Sequence, residues 1–516
     1  MKREMTNADL RQVHVVTKHP ETHKVDRRDF LRAAGAFGLA VAGISLSQGL
    51  GFHMLAQAAQ VIPMRRVDVN IDPGNVVGTN NLSLGFTLSP PEWKSYLKDS
   101  ARRQLVHNCN FGVVRVFDFV NEGPQPCIHW DEATKTGTFD WTNVDLLVQR
   151  IREIGADPLF CLAGFRSGAP SIPPGMMVKT DTGLPDPESF ACYATEWVKH
   201  FKALGLPVHS YEIMNEPQAY FGGWNQNPVN LKRLHNYMLL FGATAASMRQ
   251  QDPNARISFD YICKKSVMDY WLANGGADVD SLNFHKYDDD LVGDKTDEEV
   301  FGLVESKHFG TWPLGQSVNE ARQAWFNARG KLLPLVCSEN NLNSASETGT
   351  DPRIQQMAGA VWVALLLRMN ILTGMQHSIY HCLSSSRSYG NKRPTSGAGF
   401  GMINSDDDHP WYPYYVQHMI GNNLAPGDPL VDAGAPSESV RSVAWIHGQD
   451  LNILLISKSP NQINVRLSGV KTQLNLRMID SSVPWQTPEI RTGVIDPTSG
   501  IDCHGYTVAL LQTPLA

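Results

Sequence analysis

The chain has 516 residues, 42% hydrophobic and 9% aromatic, with a formal net charge of −6. This length and composition allow one large hydrophobic core and a smaller one, and the charge offers no broad basic surface, so nucleic acid is not an expected partner. Its eight cysteines are too few for a disulfide scaffold in so long a chain, and no Cys-x-x-Cys or His/Cys cluster has metal-ligand spacing. No metal or other cofactor is therefore predicted.

The N-terminal segment has the features of an export signal. Arg27 and Arg28 precede Phe30 and Leu31, a Gly/Ala-rich apolar stretch follows, and the small-residue sequence "AQA" ends at residue 58. This pattern resembles a twin-arginine signal peptide over 1–58, which predicts export to the periplasm or beyond, with cleavage. The alternative is a membrane anchor, but four glycines keep the stretch only weakly apolar. No stable membrane insertion is expected after cleavage.

From 78 to 427 the chain alternates between short apolar runs and longer helical patterns, which is typical of repeated βα units. Eight strands are predicted, beginning near residues 81, 111, 156, 210, 256, 281, 333 and 374. Helical patterns lie between them, for example over 141–155, 187–205, 230–252 and 353–370. Eight units in series predict a (β/α)8 TIM barrel of the α/β class.

The remainder predicts a different architecture. A Gly/Ser-rich stretch over 384–410 is too long for an ordinary connection and is a candidate lid or substrate wall. Within it, Asp406–Asp408 is typical of a solvated turn, with calcium binding as the alternative. From 428 to 516 short alternating strands predict an attached β-sandwich domain, to which 65–72 could add a strand.

In such barrels the chemistry lies at the carboxyl ends of the strands, where the βα loops converge. Two glutamates and several possible partners occupy those ends: Arg115 on strand two, Asn215 and Glu216 on strand four, His285 and Tyr287 on strand six, and Glu339 on strand seven. The two glutamates are thus expected to face one cavity.

Each glutamate alone could simply end a strand, paired with a loop amide or a lysine. Both, however, follow apolar runs that would bury them, and an unpaired buried carboxylate is costly. Two carboxylates across a cleft are what glycoside hydrolysis needs, one as proton donor and one as nucleophile or base. Strands four and seven lie near enough across a barrel for a separation of about 5 Å, which favours retention of configuration.

Four short motifs resemble those of the clan A glycoside hydrolases: "RVF" at 115–117, "NEP" at 215–217, "HKY" at 285–287 and "SEN" at 338–340. The β-xylosidase and iduronidase family, family 39, is nearest, because it combines these strand ends with a β-sandwich, and the resemblance covers roughly 65–516. It implies that Glu216 is the acid/base and Glu339 the nucleophile. Asn215 would then reach the sugar 2-hydroxyl in the −1 subsite.

The same resemblance implies that Arg115 and Tyr287 hold Glu339 ionised and oriented, and that His285 lines the same subsite. Many clan members have a histidine at the end of strand three and a tryptophan at the end of strand eight. Here these places read "LAGFRSG" and "SIYHCLSSS", so that Tyr380 or His381 would substitute for the tryptophan.

Two loop aromatics complete the expected site. Trp224 and Trp312 could stack on sugar faces, with packing of their own loops as the alternative.

The sequence therefore predicts an exported retaining glycoside hydrolase that cleaves β-glycosidic bonds of plant or microbial poly- or oligosaccharides through a glycosyl-enzyme intermediate. Carbohydrate is the expected partner. An inverting hydrolase or a transglycosylase on the same barrel is the second interpretation, and a non-catalytic carbohydrate-binding protein is the third. The sugar, the choice between end-trimming and internal cleavage, and the oligomeric state are left open.

Overall fold

The computed structural model describes residues 65–88, 92–117, 125–166, 169–206, 208–222, 227–289, 295–306, 314–344, 351–385, 399–435, 437–484 and 487–515. The predicted signal peptide, Trp224, Trp312 and most of the candidate lid lie outside these residues.

The strands follow one another in chain order as β1 (Arg65–Asn70), β2 (Asp72–Thr79), β3 (Ser83–Leu88), β4 (Val113–Phe117), β5 (Cys127–Asp131), β6 (Thr136–Phe139), β7 (Asp157–Cys161), β8 (Gly164–Arg166), β9 (Ala169–Ser171), β10 (Ser210–Glu212), β11 (Arg256–Ser258), β12 (Leu282–Lys286), β13 (Leu335–Asn340), β14 (His377–Tyr380), β15 (Ser384–Ser385), β16 (Ile403–Asn404), β17 (Pro429–Asp432), β18 (Val440–His447), β19 (Asp450–Ser457), β20 (Ile463–Ser468), β21 (Leu474–Asp480), β22 (Arg491–Ile495), β23 (Ile501–Cys503) and β24 (Thr507–Pro514).

The helices are α1 (Glu92–Lys98), α2 (Ser100–His107), α3 (Thr142–Glu153), α4 (Pro187–Leu204), α5 (Gln218–Phe221), α6 (Pro228–Gln251), α7 (Lys265–Ala273), α8 (Asp297–Ser306), α9 (Leu314–Arg329), α10 (Met357–Leu372) and α11 (Tyr412–Gly421), with a 3-10 helix at Pro352–Gln355. None of the helices in the described ranges is both long and apolar enough to cross a membrane.

Eight parallel strands form the barrel predicted from the sequence. Their order is β11-β10-β7-β4-β3-β14-β13-β12, and each is one of the eight predicted runs. The two end strands approach each other, since the backbone N–H of Asp280 donates to the carbonyl oxygen of Ile257 at 3.0 Å. The sheet is therefore nearly closed. At least one helix follows every barrel strand, as expected for helices that cover the outside of such a barrel.

Local sequence explains where the helices begin and end. The Asp186 side chain accepts hydrogen bonds from the backbone N–H groups of Glu188 and Ser189 at the start of α4, where Pro187 takes the first helical position. The same helix ends at Gly205, whose φ of 67° is favourable only for glycine. The apolar α10 is buried on nearly all sides because it packs against other helices and against the second sheet.

The second architecture is a sandwich. A seven-stranded antiparallel sheet has the order β2-β17-β18-β19-β24-β21-β22, and a three-stranded sheet has the order β1-β20-β23. Alternate side chains, such as Ile453 and Leu455 of β19, form a core with the three-stranded sheet. The intervening side chains, such as Leu454 and Ile456, join the large core of the barrel.

The segment at 65–72 contributes to the sandwich, because β1 pairs with β20 in parallel and β2 pairs with β17. The predicted domain limits, 78–427 and 428–516, stay predictions, since the described residues belong to one compact unit. All eight cysteines have free thiols.

Candidate active site

The strand-end residues predicted for the site come together at the carboxyl ends of the barrel strands. Direct contacts connect all six: Arg115, Asn215, Glu216, His285, Tyr287 and Glu339.

Arg115 is the centre of this network. It lies in the middle of β4 and is fully buried. Its Nε donates to Glu212 at 2.7 Å, Nη1 to Glu339 at 2.8 Å and Nη2 to the amide oxygen of Asn215 at 2.8 Å. Glu212 also accepts from the Asn283 amide at 2.7 Å. The planar guanidinium thus fixes three neighbours in one geometry.

Glu339 lies one residue before the end of β13, held on both carboxylate oxygens. Arg115 donates to Oε2, and the Tyr287 hydroxyl donates to Oε1. A shift of register in the β12–β13 pairing after Phe284 brings His285 opposite Glu339. This irregularity places the end of β12 beside Glu339.

The electrostatic surroundings of Glu339 favour its anion. Burial by itself raises the pKa of a carboxyl group, but the charges of His381 and His285 and then Arg115 lower it here. With the hydrogen bond from Tyr287, the pKa falls from 4.5 to about 2.

Of these cations, His381 acts only in acid solution. Burial lowers the pKa of His381 below its ordinary value, so the ring is neutral at neutral pH. Arg115, whose pKa is raised by its carboxylate neighbours despite burial, is charged throughout. The lasting stabilisation of the Glu339 anion therefore comes from His285, whose pKa the charges of Glu339 and Asp260 raise to about 9 despite burial, and from Arg115, with the Tyr287 hydroxyl as a neutral donor.

Glu216 has a different environment. Its side chain is 36% exposed, against 9% for Glu339. Oε1 lies 3.0 Å from Nδ1 of His285. Its backbone has a φ of 50°, and its N–H is directed to both carboxylate oxygens of Asp260, at 3.1 and 2.8 Å. The Glu339 carboxylate is thus held by two donors, whereas the Glu216 carboxyl group is partly exposed to solvent.

The two carboxylates are close together. One oxygen of Glu216 and one of Glu339 lie within 4.8 Å of each other, and a ring nitrogen of His285 lies within the same distance of both. This matches the separation of about 5 to 5.5 Å that accompanies retention of configuration. The same three donor atoms are near enough to hold a metal ion, although Glu339 already accepts from Arg115.

Tyr380 and His381, at the end of the eighth barrel strand β14, have different surroundings. Tyr380 is 1% exposed and belongs to the hydrophobic core. His381 follows it, packs edge-on against Phe400, and has Nδ1 3.9 Å from Oε1 of Glu339. Of the two residues suggested by the sequence, His381 is the one that approaches the site.

The sequence did not indicate three members of the network: Glu212, Asp260 and Asn283. Glu212 stands inside the apolar run of strand four, where an acidic residue is a signal of a buried partner. Asp260 lies two residues beyond β11, the fifth barrel strand, and none of the predicted site residues came from that strand. Asn283 lies two residues before His285 on β12.

The Asp406–Asp408 turn uses its carboxylates within the protein. Asp408 accepts from Nε of Arg102 at 2.7 Å, and Asp407 accepts from the Asn404 amide. Calcium binding there remains only the alternative prediction.

No protein-family model matches the sequence, and no curated protein does either. Solved structures are similar. A GH39 β-xylosidase from Caulobacter crescentus is 16% identical, with 87% of this chain and 100% of that chain covered and a TM-score of 0.57. A GH30 endoxylanase from Clostridium papyrosolvens is 15% identical, with the same shares and a TM-score of 0.54.

An α-L-arabinofuranosidase from Thermotoga maritima is 14% identical, with 87% of this chain and 100% of that chain covered and a TM-score of 0.59. At such identities the likeness concerns the fold. The resemblance to clan A glycoside hydrolases, including family 39, is therefore confirmed at the level of the barrel fold.

Proposed function

We propose that the protein is a retaining glycoside hydrolase that cleaves β-glycosidic bonds of plant or microbial poly- or oligosaccharides. The observation that carries this proposal is the pair Glu216 and Glu339, with oxygens within 4.8 Å, one group held as an anion and the other open to solvent. An inverting enzyme needs a wider gap, about 6.5 to 9.5 Å, to admit a water molecule between the carboxyl groups.

In the first step the Glu339 carboxylate attacks the anomeric carbon while Glu216 gives its proton to the departing oxygen. Glu339 is suited to attack because Arg115 and Tyr287 keep it ionised and oriented. The glycosyl-enzyme ester then forms, and Glu216 is left as a carboxylate. In the second step Glu216 removes a proton from water, which attacks the anomeric carbon and releases Glu339.

Asn215 is suited to bind the sugar 2-hydroxyl. Its amide oxygen accepts from Arg115 at 2.8 Å, so its Nδ2 is the atom left to donate to a substrate hydroxyl. Hydrogen bonds of this kind strengthen in the transition state of glycosidases. Within the same subsite, His285 and His381 supply the neighbouring walls.

The class of sugar is proposed from the similar structures. They include a β-xylosidase, an endoxylanase and an α-L-arabinofuranosidase, which act on pentoses. Oligosaccharides containing xylose are therefore the first substrates to try. Stacking by Trp224 and Trp312, and twin-arginine export directed by residues 1–58, belong to the same proposal.

The test uses aryl β-glycosides of several sugars. Glu339→Ala should abolish turnover of an activated aryl glycoside, and azide should restore it by forming the glycosyl azide of inverted configuration. Glu196→Ala, which removes a partly exposed glutamate of α4, is the matched control and should keep full activity. Retained activity in Glu339→Ala would refute the assignment. Binding without turnover by the wild type across a broad glycan panel would favour the non-catalytic interpretation.

Two further measurements separate the rival enzymes. Proton NMR of the first-formed product should show the β-anomer; the α-anomer would establish inversion. Product analysis with acceptor sugars reveals transfer. A chelator should leave the rate unchanged, and loss of activity restored by a divalent cation would instead make Glu216, His285 and Glu339 a metal site.

A further inference from the structure

Asp260 contacts the proposed acid/base at two places. It lies two residues beyond β11 and is fully buried. Its carboxylate accepts the backbone N–H of Glu216, with Oδ2 at 2.8 Å. The same Oδ2 lies 3.1 Å from Nε2 of His285, whose Nδ1 is 3.0 Å from the Glu216 side chain. Asp260 therefore acts on the backbone of Glu216 directly and on its carboxyl group through His285.

The backbone contact matters because Glu216 adopts a left-handed conformation. A φ of 50° is uncommon for any residue other than glycine and persists only where the surrounding structure imposes it. Asp260 supplies an acceptor at both oxygens for the one N–H that this conformation turns toward strand five. The direction of the Glu216 side chain thus depends on Asp260.

The contact with His285 fixes the imidazole. Burial by itself lowers the pKa of His285, but the charges of Glu339 and Asp260 raise it to about 9. Nε2 lies 3.1 Å from Asp260 and 3.9 Å from Glu339 without an aligned hydrogen bond to either, so the contact with Asp260 is an ion pair of the protonated ring. Nδ1 is then the atom that meets Glu216, and the ring cannot rotate without losing these contacts.

Keeping a carboxylate at this position is costly. Burial raises the pKa of Asp260 to about 7, although the charge of His285 opposes this. Buried charges are tolerated where they are hydrogen-bonded and paired, and here the hydrogen bonds of the group go to the Glu216 N–H and its ion pair to His285.

We propose that Asp260 is a positioning residue for Glu216, which it holds by the backbone and, through His285, by the carboxyl group, so that the proton is aimed at the departing oxygen. This inference rests on the glycosidase function proposed above. Asp260 touches no substrate atom in this role.

The experiment is Asp260→Asn with a series of aryl glycosides that differ in leaving group. Asparagine has the same shape, but its NH₂ replaces an acceptor and faces either the N–H of Glu216 or that of His285. For a phenyl glycoside, which needs a proton donor, kcat/KM should fall about 10- to 100-fold, whereas for a dinitrophenyl glycoside it should change by less than about threefold. Azide should accelerate dinitrophenyl turnover and give the azide of retained configuration.

Asp252→Asn is the matched control. Asp252 is likewise paired with a histidine, at 3.1 Å from His209, and accepts the backbone N–H of Asn254, but it precedes β11 at the opposite end of the barrel. Its substitution should change no leaving-group dependence. A uniform loss across all leaving groups in Asp260→Asn, without azide activation, would overturn the proposal while leaving the glycosidase function intact.

Should Asp260→Asn not fold, as judged by thermal unfolding beside Asp252→Asn, Asp260→Glu provides the second test. It keeps the charge but displaces it, and a steeper dependence on the leaving group is expected. A wild-type dependence, or failure of both variants to fold, would overturn the proposal in favour of a purely structural role. Absence of any aryl glycosidase activity in the wild type would instead refute the function itself.

Discussion

The interior of the barrel has two layers of opposite character. The first is an apolar layer of four buried side chains, Val113, Leu159, Val336 and Ile379. Two residues beyond Val113 on the same strand, Arg115 belongs to an ionic layer that also contains Glu212, Asn283 and Glu339. Because alternate residues of a strand face the same side, both layers fill one cavity. The apolar layer contributes buried apolar area, and the ionic layer orients the Glu339 carboxylate.

The two layers differ in how they contribute to the free energy of folding. Apolar residues contribute burial energy with no requirement for partners. Charges contribute little net stability when buried, yet removing one partner leaves the other uncompensated. A single change in the ionic layer should therefore lower both stability and activity, whereas a change in the apolar layer should lower stability alone.

The largest expected effect is on stability, from Glu212→Ala. Arg115 loses the acceptor of its Nε, and the Asn283 amide loses its partner, in a region with no exposure to water. The free energy of unfolding should fall by about 3 to 5 kcal/mol, as for other broken buried ion pairs. Urea unfolding measures it. Asp269→Ala, which removes the exposed pair with Lys265, should have almost no effect. A similarly small loss in Glu212→Ala would contradict the distinction between layers.

Arg115→Met should affect activity next. The Glu339 carboxylate loses a donor at 2.8 Å that orients it, and misplacement of a reacting group by about 1 Å can cost about 10²-fold in turnover. Met keeps most of the volume but leaves Glu212 and Glu339 without their shared cation, so urea unfolding of the variant has to accompany the rate measurement.

The same variant should change the pH dependence. Because Arg115 helps to lower the pKa of Glu339 to about 2, its loss should raise that pKa, and the acidic limb of the kcat/KM profile should move to higher pH. In the wild type the stabilisation from the ionised Glu339 is fully present above pH 4.5 and is lost as the pH falls toward 2. If the acidic limb of the Arg115→Met profile coincides with that of the wild type, groups other than Arg115 keep the pKa of Glu339 low.

Tyr287→Phe should have a smaller effect in the same direction. It removes one hydroxyl donor to Oε1 of Glu339 and leaves the Arg115 contact in place. A hydrogen bond to a charged group contributes about 1.5 to 3 kcal/mol, which corresponds to a fall in kcat/KM of about 10- to 100-fold. Tyr211→Phe removes another buried hydroxyl, bonded to the Val208 carbonyl at 3.1 Å, and should leave kcat/KM unchanged. Equal losses in both variants would make the effect non-specific.

These two layers also show how far the sequence could be interpreted. The eight barrel strands were predicted because a parallel strand buried on both faces tends to have a continuous apolar run, as at 335–337 in the first half of β13. Arg115 and Glu339 were predicted because each lies near the carboxyl end of an apolar run. Glu212 was missed because apolar residues continue beyond it at 213 and 214, although β10 ends at Glu212, and because its role depends on Arg115, which is distant in sequence.

Other elements had no local signal of their own. Asp260 is connected to Glu216 through a backbone N–H that only the left-handed conformation at residue 216 presents, and conformation of this kind is not encoded in the pattern of apolar residues. The short strands β22 and β23 have exposed or polar positions and are defined only by their pairing with β21 and β20. Pairing of this kind is decided by tertiary contacts rather than by local propensity.

The smallest expected effect comes from the apolar layer, in Ile379→Val. Loss of one buried methylene should lower the free energy of unfolding by about 0.5 to 1.5 kcal/mol, since Ile379 is fully buried. The kcat/KM value and its acidic limb should not move, because the side chain carries no charge and the ionic layer keeps its own hydrogen bonds. Urea unfolding and the pH profile measure the two quantities on the same preparation. A shifted acidic limb would mean that apolar packing sets the position of Arg115 against Glu339, in which case the layers form a single unit and stability and catalysis could not be altered separately.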